Sequence, residues 1–279
     1  MSAVLQTPEL YAVLGNPVSH SLSPRIHTHF AAQAAQVMQY QAIEVPLDQF
    51  NQQLFEMQSK GYKGANVTVP FKQQAWEICD QLSSRARDAG AVNTLTFLES
   101  GEIAGDNTDG VGLVRDLLQN LRLLMRERRI LILGAGGAVR GVLSPILEQK
   151  PKKLTIANRS LDKAEDLATL FSNSGSIDVS AYEDLGNEQY DLIINGTAAG
   201  LNNQVPPIPA TILGVNSVCY DMMYNLQQDT AFVSWALNHG AVDAYDGLGM
   251  LVEQAAESFQ IWRGVSVDTG ELMESLRSP

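Results

Sequence analysis

The chain has 279 residues, 45% of them hydrophobic and 18% charged, enough apolar material for the cores of two ordinary domains. The formal net charge is −12 and no run of Lys and Arg is long enough to suggest the basic face a nucleic-acid binder needs; the nearest, 126–129, precedes an apolar strand and reads as a solvated linker, with phosphate contact as the alternative. No stretch of about 18 apolar residues could span a bilayer, and residues 1–10 lack a basic region followed by an apolar run, so a cytoplasmic protein with no membrane partner is expected.

Strand-like and helix-like stretches alternate along most of the chain. Residues 11–15 are a short apolar run ending in Gly-Asn-Pro, a strand and then a turn. The pattern predicts a helix over 24–35, with Ser23 as its N-cap and Pro24 at the first helical position. A strand over 40–45, a helix over 47–59, a strand over 65–69 stopped by Pro70 and a helix over 71–79 follow. Residues 91–97 and 103–105 predict a hairpin about Ser100-Gly101. Residues 111–124 are apolar at helical spacing, with Thr108 or Asp109 available as cap.

A second alternating series begins at Arg129. It predicts a strand over 130–133, a glycine loop, a helix to about residue 149, a strand over 153–157 and a helix over 162–171. Strands over 192–195 and 215–220 flank a Pro-rich loop, and helices over 230–239 and 248–263 close the series. Such alternation predicts an α/β fold with a parallel sheet covered by helices on both faces. Because the glycine turn comes in mid-chain, one α/β unit precedes the nucleotide unit. Cys79 and Cys219 are expected as buried free thiols, and the four histidines (His20, His27, His29, His239) show no zinc spacing, so no metal is expected.

The loop Gly134-Ala135-Gly136-Gly137-Ala138 lies between a predicted strand and a predicted helix. The first glycine allows the tight turn, the second lets backbone approach a pyrophosphate, and the helix N-terminus offers free N–H groups to the phosphates. Val139 stands where the fuller motif has another glycine. An NAD site usually has an acid at the end of the next strand, to bond the ribose hydroxyl. Here that strand ends in Asn158-Arg159-Ser160, with Lys163 one turn later. A guanidinium pairs with a 2′-phosphate, which favours NADP; Arg159 and Lys163 could equally be ordinary surface cations.

These segments extend a wider set in the same order: Gly15-Asn-Pro-Val-Ser-His-Ser-Leu-Ser-Pro24, Asn66-Val-Thr-Val-Pro-Phe-Lys72, Gly90-Ala-Val-Asn-Thr94, Gly105-Asp-Asn-Thr-Asp-Gly110, Asn195-Gly-Thr197, Cys219-Tyr-Asp-Met-Met-Tyr224 and Asp246-Gly-Leu-Gly-Met-Leu-Val-Glu-Gln254. Together they resemble the shikimate dehydrogenase family. The resemblance implies an N-terminal α/β substrate domain, 1–108 completed by C-terminal helices over 244–279, and a doubly wound Rossmann-type NADP-binding domain over 109–243. The implied active site lies at the carboxyl ends of the strands.

The resemblance also implies a reaction, the reversible NADPH-dependent reduction of 3-dehydroshikimate to shikimate on the route to chorismate and the aromatic amino acids. Hydride delivery to a ketone leaves charge on its oxygen, so a proton donor or cation is needed there. Lys72 matches the family's catalytic lysine and Asp109 its partner carboxylate. Read alone, Lys72 is a helix-surface lysine and Asp109 a helix N-cap. Ser21 and Ser23 match residues that bind the substrate carboxylate, with Tyr224 in support, and Ser23 is equally a cap. Thr68, Asn93 and Gln254 match residues that bond the hydroxyls. Backbone could also satisfy Asn93, and Gln254 could face solvent. Thr197, Met222 and Gly247 match further cofactor contacts, and His20 is taken as structural.

The chain departs from the family at Gly196, often Ala, at Ala198 or Ala199, frequently Ser, and at Thr230-Ala-Phe232 in place of Thr-Pro-Phe. A quinate/shikimate dehydrogenase using NAD or NADP is the alternative enzyme, with Asp162 as its possible acid. A non-catalytic NADP-binding sensor predicts a damaged Lys72 and Asp109 pair. Another two-domain dehydrogenase, such as a methylenetetrahydrofolate dehydrogenase, has no reason to carry Ser21, Ser23, Lys72 and Asp109 together. The expected partner is a small molecule, and a homodimer is the assembly left open.

Overall fold

The computed structural model describes residues 7–186 and 188–277. The chain divides into two compact units. One runs up to Thr108 and takes up Val252–Ser275; the other holds Asp109–Leu251 and the residues from Leu276. The second crossing therefore falls at Leu251, inside a helix, rather than at residue 244 as expected.

The first unit contains β1 (Glu9–Gly15), α1 (Ser23–Gln33), β2 (Met38–Glu44), α2 (Phe50–Ser59), β3 (Tyr62–Val67), α3 (Lys72–Ile78), β4 (Gln81–Leu82), α4 (Ser84–Ala89), β5 (Thr94–Phe97) and β6 (Ile103–Asp106). Its sheet has the order β2-β1-β3-β5-β6-β4. It is mixed, not purely parallel: β1, β2 and β3 run together, whereas β5 runs against both β3 and β6. For β5 and β6 the cause is the short 98–102 connection, which can join only antiparallel neighbours. Apolar residues of β1, β3, β5 and β6 pack with Phe50, Leu54 and Met57 of α2 and with Phe71 and Ala75.

Register decides what shares an edge. Thr94, the first residue of β5, lies opposite both Asn66 near the end of β3 and Asp106 at the end of β6. The residues after β1, after β3, just before β5 and after β6 thus emerge together at one end of the sheet.

The second unit contains α5 (Asp109–Arg115), β7 (Arg129–Leu133), α6 (Gly137–Glu148), β8 (Lys153–Ala157), α7 (Leu161–Leu170), β9 (Asp178–Ser180), β10 (Tyr190–Asn195), β11 (Leu213–Asp221), α8 (Ala231–Asn238) and β12 (Asp243–Tyr245). The sheet order is β12-β11-β10-β7-β8-β9, parallel throughout. Successive side chains go to opposite faces: Ile130 and Ile132 join one core with Val142 and Ile146 of α6, and Leu131 and Leu133 join another with Phe232 and Ala236 of α8. Burial on both sides is why these strands read as unbroken apolar runs. Two helices, α9 (Leu248–Arg263) and α10 (Gly270–Arg277), close the chain.

Two local expectations are corrected. Ser23 is not the cap of α1: it is the first helical residue, Leu22 precedes it, and no side chain caps the end. The Ser21 hydroxyl instead accepts the Ser23 N–H at 3.2 Å, the short side-chain turn that serine readily forms. The helix expected over 111–124 stops early. After Arg115 the chain widens into a π turn, Asp116–Asn120, and Arg122 reverses it at φ 56°. Cys219 is buried and Cys79 half-buried, both as free thiols; burial pushes each up to about 12.

Candidate functional site

At the edge of the first sheet, polar side chains bond one another inside an apolar frame. Asn93, only 2% exposed, occupies both ends of its amide. Its oxygen accepts from the Thr108 N–H at 2.9 Å and the Thr94 hydroxyl at 2.9 Å. Its nitrogen donates to Thr108 Oγ1 at 2.9 Å and Gln254 Oε1 at 3.2 Å. Asn66, two residues before Thr68, shares its two amide protons among the Asn93 carbonyl, Thr94 Oγ1 and Ser258 Oγ, and accepts from the Tyr40 hydroxyl at 2.7 Å. Each of these groups is satisfied, as burial demands.

Thr68 follows β3 and is half-buried. Its N–H bonds the Leu14 carbonyl at 2.8 Å, which ties the end of β3 to β1. Lys72 opens α3 directly behind it and is half-buried, while its carbonyl accepts the Val92 N–H at 2.8 Å, one residue from Asn93. Ser21 is half-buried and Ser23 buried, beyond the end of β1. His20 is exposed.

The second unit ends its strands differently. Gly134 leaves β7 at φ 101°, a backbone state that side chains rarely adopt, and its N–H bonds the Ala157 carbonyl at 2.8 Å. Gly136 precedes α6 and Gly137 begins it; a Cβ added to either meets no atom within 4 Å. Ala135 and Ala138 flank this open backbone. Next along the edge, Asn158 donates to the Ser160 carbonyl at 2.9 Å, while Arg159, Ser160 and Lys163 are exposed.

Beyond β10 and β11 the edge is braced from below. Asp221, fully buried, accepts from Asn195 at 3.0 Å, from the Met223 N–H at 3.1 Å and from Thr230 at 2.6 Å. Burial raises its carboxyl above the ordinary value, and these donors oppose the rise. Asn195 in turn accepts the Thr197 hydroxyl at 2.8 Å, and the Met222 N–H bonds the Asn195 carbonyl at 2.9 Å. Gly247 donates its N–H to the Met223 carbonyl at 2.9 Å. Tyr224 is half-buried, and burial, followed by the Asp246 charge, raises its phenol above the usual range. Asp109, buried, is the first residue of α5.

Family models describe three stretches of the chain: a shikimate dehydrogenase substrate binding domain over 13–95, shikimate/quinate 5-dehydrogenase over 116–203 and a shikimate 5'-dehydrogenase C-terminal domain over 247–277. A curated relative from Methylobacillus flagellatus, shikimate dehydrogenase (NADP(+)), is 50% identical over 96% of this chain and 98% of its own. The chain belongs to the shikimate dehydrogenase family. A relative of the same name from Marinobacter nauticus is 50% identical over 98% of this chain and 99% of its own. Among solved structures, an Ael1 enzyme from Pseudomonas putida is 44% identical with a TM-score of 0.92, covering 97% of this chain and 99% of that one. The Thermus thermophilus shikimate 5-dehydrogenase, solved with NADP(H) and shikimate, is 31% identical with a TM-score of 0.85 over 96% and 98% of the two chains.

Of the residues matched to the family's substrate site, Ser21, Ser23, Thr68, Lys72, Asn93 and Gln254 belong to the first unit, and Asp109 and Tyr224 to the second. All those matched to the dinucleotide belong to the second. Gln254 does not simply face solvent; it is half-buried and bonds Asn93 and Thr108. At Gly196 the surroundings leave little room for a side chain. A methyl group there would lie 2.5 Å from Val139 Cγ2 and 3.1 Å from Met222 Sδ, so the valine at 139 occupies the room an alanine at 196 would need. Sequence reasoning missed Thr108, Asn66, Thr94, Ser258, Asn195 and Asp221 as support for these sites. The available signal was a polar residue set within an apolar run, as in Leu192-Ile-Ile-Asn195 and Val218-Cys-Tyr-Asp221.

Proposed function

We propose that this chain is a cytoplasmic enzyme that reversibly reduces 3-dehydroshikimate to shikimate with NADPH, a step of aromatic amino-acid biosynthesis. Half identity over nearly the whole length to relatives named shikimate dehydrogenase (NADP(+)) carries this reading. Shikimate bears a carboxylate and three hydroxyls, and the edge of the first unit offers a dense set of fixed polar side chains. Ser21 and Ser23 bind the carboxylate with neutral hydroxyls. Tyr224 supports them; with its phenol raised by burial it stays a donor at neutral pH. Thr68, Asn93 and Gln254 bond the ring hydroxyls.

The second unit suits a dinucleotide phosphate. The turn at Gly134 and the uncovered backbone of Gly136 and Gly137 leave room for a pyrophosphate at the start of α6. Ala135 and Ala138 line the same loop. Arg159, flanked by Asn158 and Ser160 and followed by Lys163, takes the 2′-phosphate. Thr197, Met222 and Gly247 border the nicotinamide. When bound, the cofactor supplies the hydride. Lys72 gives a proton to the carbonyl oxygen as charge grows there, and takes one back from the hydroxyl in the reverse direction. Asp109 holds that ammonium in place by opposite charge.

The test is to follow nicotinamide reduction with shikimate, running NADP and NAD in parallel and quinate as second substrate. Reduction with shikimate and NADP, and little with the other pairs, is expected. Comparable rates with NAD or quinate would assign the chain to the broader branch. No reduction by any pair while NADP still binds would make it a sensor.

A further inference from the structure

We infer that Ser258 is a positioning residue whose hydroxyl sets the direction of the hydrogen bonds holding Asn93 and Gln254 ready for substrate. This rests on the proposed role of those two amides. Ser258 lies on α9 one turn beyond Gln254 and is fully buried. Its Oγ lies 3.0 Å from Asn66 Nδ2, 2.8 Å from Thr94 Oγ1, 3.2 Å from Thr108 Oγ1 and 3.0 Å from the Gln254 carbonyl. A hydroxyl has one proton and two lone pairs, so the four contacts are not all bonds at once.

The chemistry of the neighbours selects among them. Asn66 Nδ2 can only donate, so it points a proton at Ser258. Asn93 Oδ1 can only accept, and the Thr94 hydroxyl donates to it at 2.9 Å. With its proton so used, Thr94 faces Ser258 as an acceptor, at the shortest of the four distances, and shares the Ser258 proton with the Gln254 carbonyl, which can only accept. The relay then runs from Asn66 through Ser258 and Thr94 to Asn93 Oδ1. It saturates that oxygen together with the Thr108 N–H and turns the Asn93 nitrogen toward Thr108 and Gln254 Oε1. The last bond fixes which end of the Gln254 amide faces inward. Bonds in such a chain reinforce each other; with the relay broken in the middle, the Thr108 N–H still holds the Asn93 oxygen, but the Thr94 hydroxyl loses its fixed direction and the hold on both amides weakens.

Ser258 is not needed to keep α9 in place. Trp262 donates to the Leu95 carbonyl at 3.0 Å, Glu257 pairs with Arg85 at 2.9 Å, and Phe259 is fully buried. The test is steady-state kinetics of Ser258→Ala in the full chain. KM for shikimate is expected to rise about tenfold, the loss of one well-made hydrogen bond to a fixed amide, with KM for NADP unchanged and kcat the lesser effect. In a Gln254→Ala background, Ser258→Ala should add less than about twofold, because the two act as one unit. Should Ser258→Ala fail to fold, Thr94→Val breaks the relay at its next member and carries the same expectations. An unchanged KM for shikimate, or effects that multiply independently, would overturn the inference. A wild-type chain inactive on shikimate would instead remove the functional reading beneath it.

Discussion

At the edge of the first sheet the polar side chains bond one another; at the edge of the second sheet such bonding is confined to the ends of β10 and β11, and the ends of β7 and β8 lead into glycines that face open space and into exposed cations. Asn66, Asn93, Thr94 and Ser258 are buried and mutually bonded; Gly136, Gly137, Arg159 and Lys163 are exposed. Under the proposed function, the contrast follows from what each edge binds. Several hydroxyls in fixed directions call for amides and hydroxyls that cannot rotate, and rotation is stopped by burial and a closed set of hydrogen bonds. A pyrophosphate calls for close backbone approach and positive potential, which glycine and a helix start provide with no side-chain scaffold.

The largest way to break this comparison is at Lys72, the charged donor proposed for the reaction. Lys72→Ala should lower kcat by about a hundredfold to ten-thousandfold, the range for a lost proton donor, with the Kd for NADP unchanged. Turnover near wild type would take lysine out of the mechanism. A shared loss of cofactor affinity would mean that the two edges do not divide the work as argued.

The second unit offers a sharper cut, because its glycines differ in kind. A Cβ added at Gly136 meets no atom of the fold within 4 Å, so in Gly136→Ala thermal stability should hold while NADP affinity falls about a hundredfold, the methyl standing where the phosphates are proposed to approach. Gly134→Ala should do the opposite. At φ 101° it strains the backbone by roughly 1–2 kcal/mol, and the melting temperature should drop. Equal thermal effects at the two positions would contradict the open cradle. Arg159→Ala belongs beside them: exposed and proposed to pair with a single phosphate, it should cost about tenfold to a hundredfold in NADP affinity and little in NAD affinity. Equal losses with both cofactors would remove the 2′-phosphate from its role.

The same contrast explains what could be read in advance. The second unit was legible because its signals are contiguous: an apolar run such as 130–133, then glycines, then a helix. Its edge strands β9 and β12 are not legible because three residues carry no periodicity, and β4, α4 and α10, of two, six and eight residues, are not legible either. In the first unit the segments around Ser21, Lys72 and Asn93 were recognisable as family motifs, but not the network that supports them. Thr108 bonds Asn93, Gln254 and Ser258 across 15, 146 and 150 positions. Ser258 looks like any serine of an amphipathic helix until the fold supplies its partners. The capping role given to Ser23 failed for a related reason, since Ser21 offers an equivalent hydroxyl nearby and local preference cannot choose between them.

The smallest effect concerns stability, and it sets the first unit apart once more. His27 is fully buried, its ring stacked on Tyr40 at 4.2 Å, and Tyr40 in turn bonds Asn66. Burial lowers the imidazole from 6.5 to about 3, against a smaller upward pull from Asn66. A group with its folded value depressed binds more protons in the unfolded chain between those two values, so protonation there favours unfolding. The contribution to stability is fully present above about pH 6.5 and is lost progressively as pH falls toward about 3. Near pH 5 the loss should be about 1–2 kcal/mol. In His27→Phe, which keeps an aromatic ring beside Tyr40 and cannot take up a proton, the acid limb of a denaturant-monitored stability curve should be flatter by that amount. Parallel acid limbs in the two proteins would show that the histidine is protonated as readily in the folded chain as in the unfolded one, and that the polar edge above it rests on a less apolar base than its burial indicates.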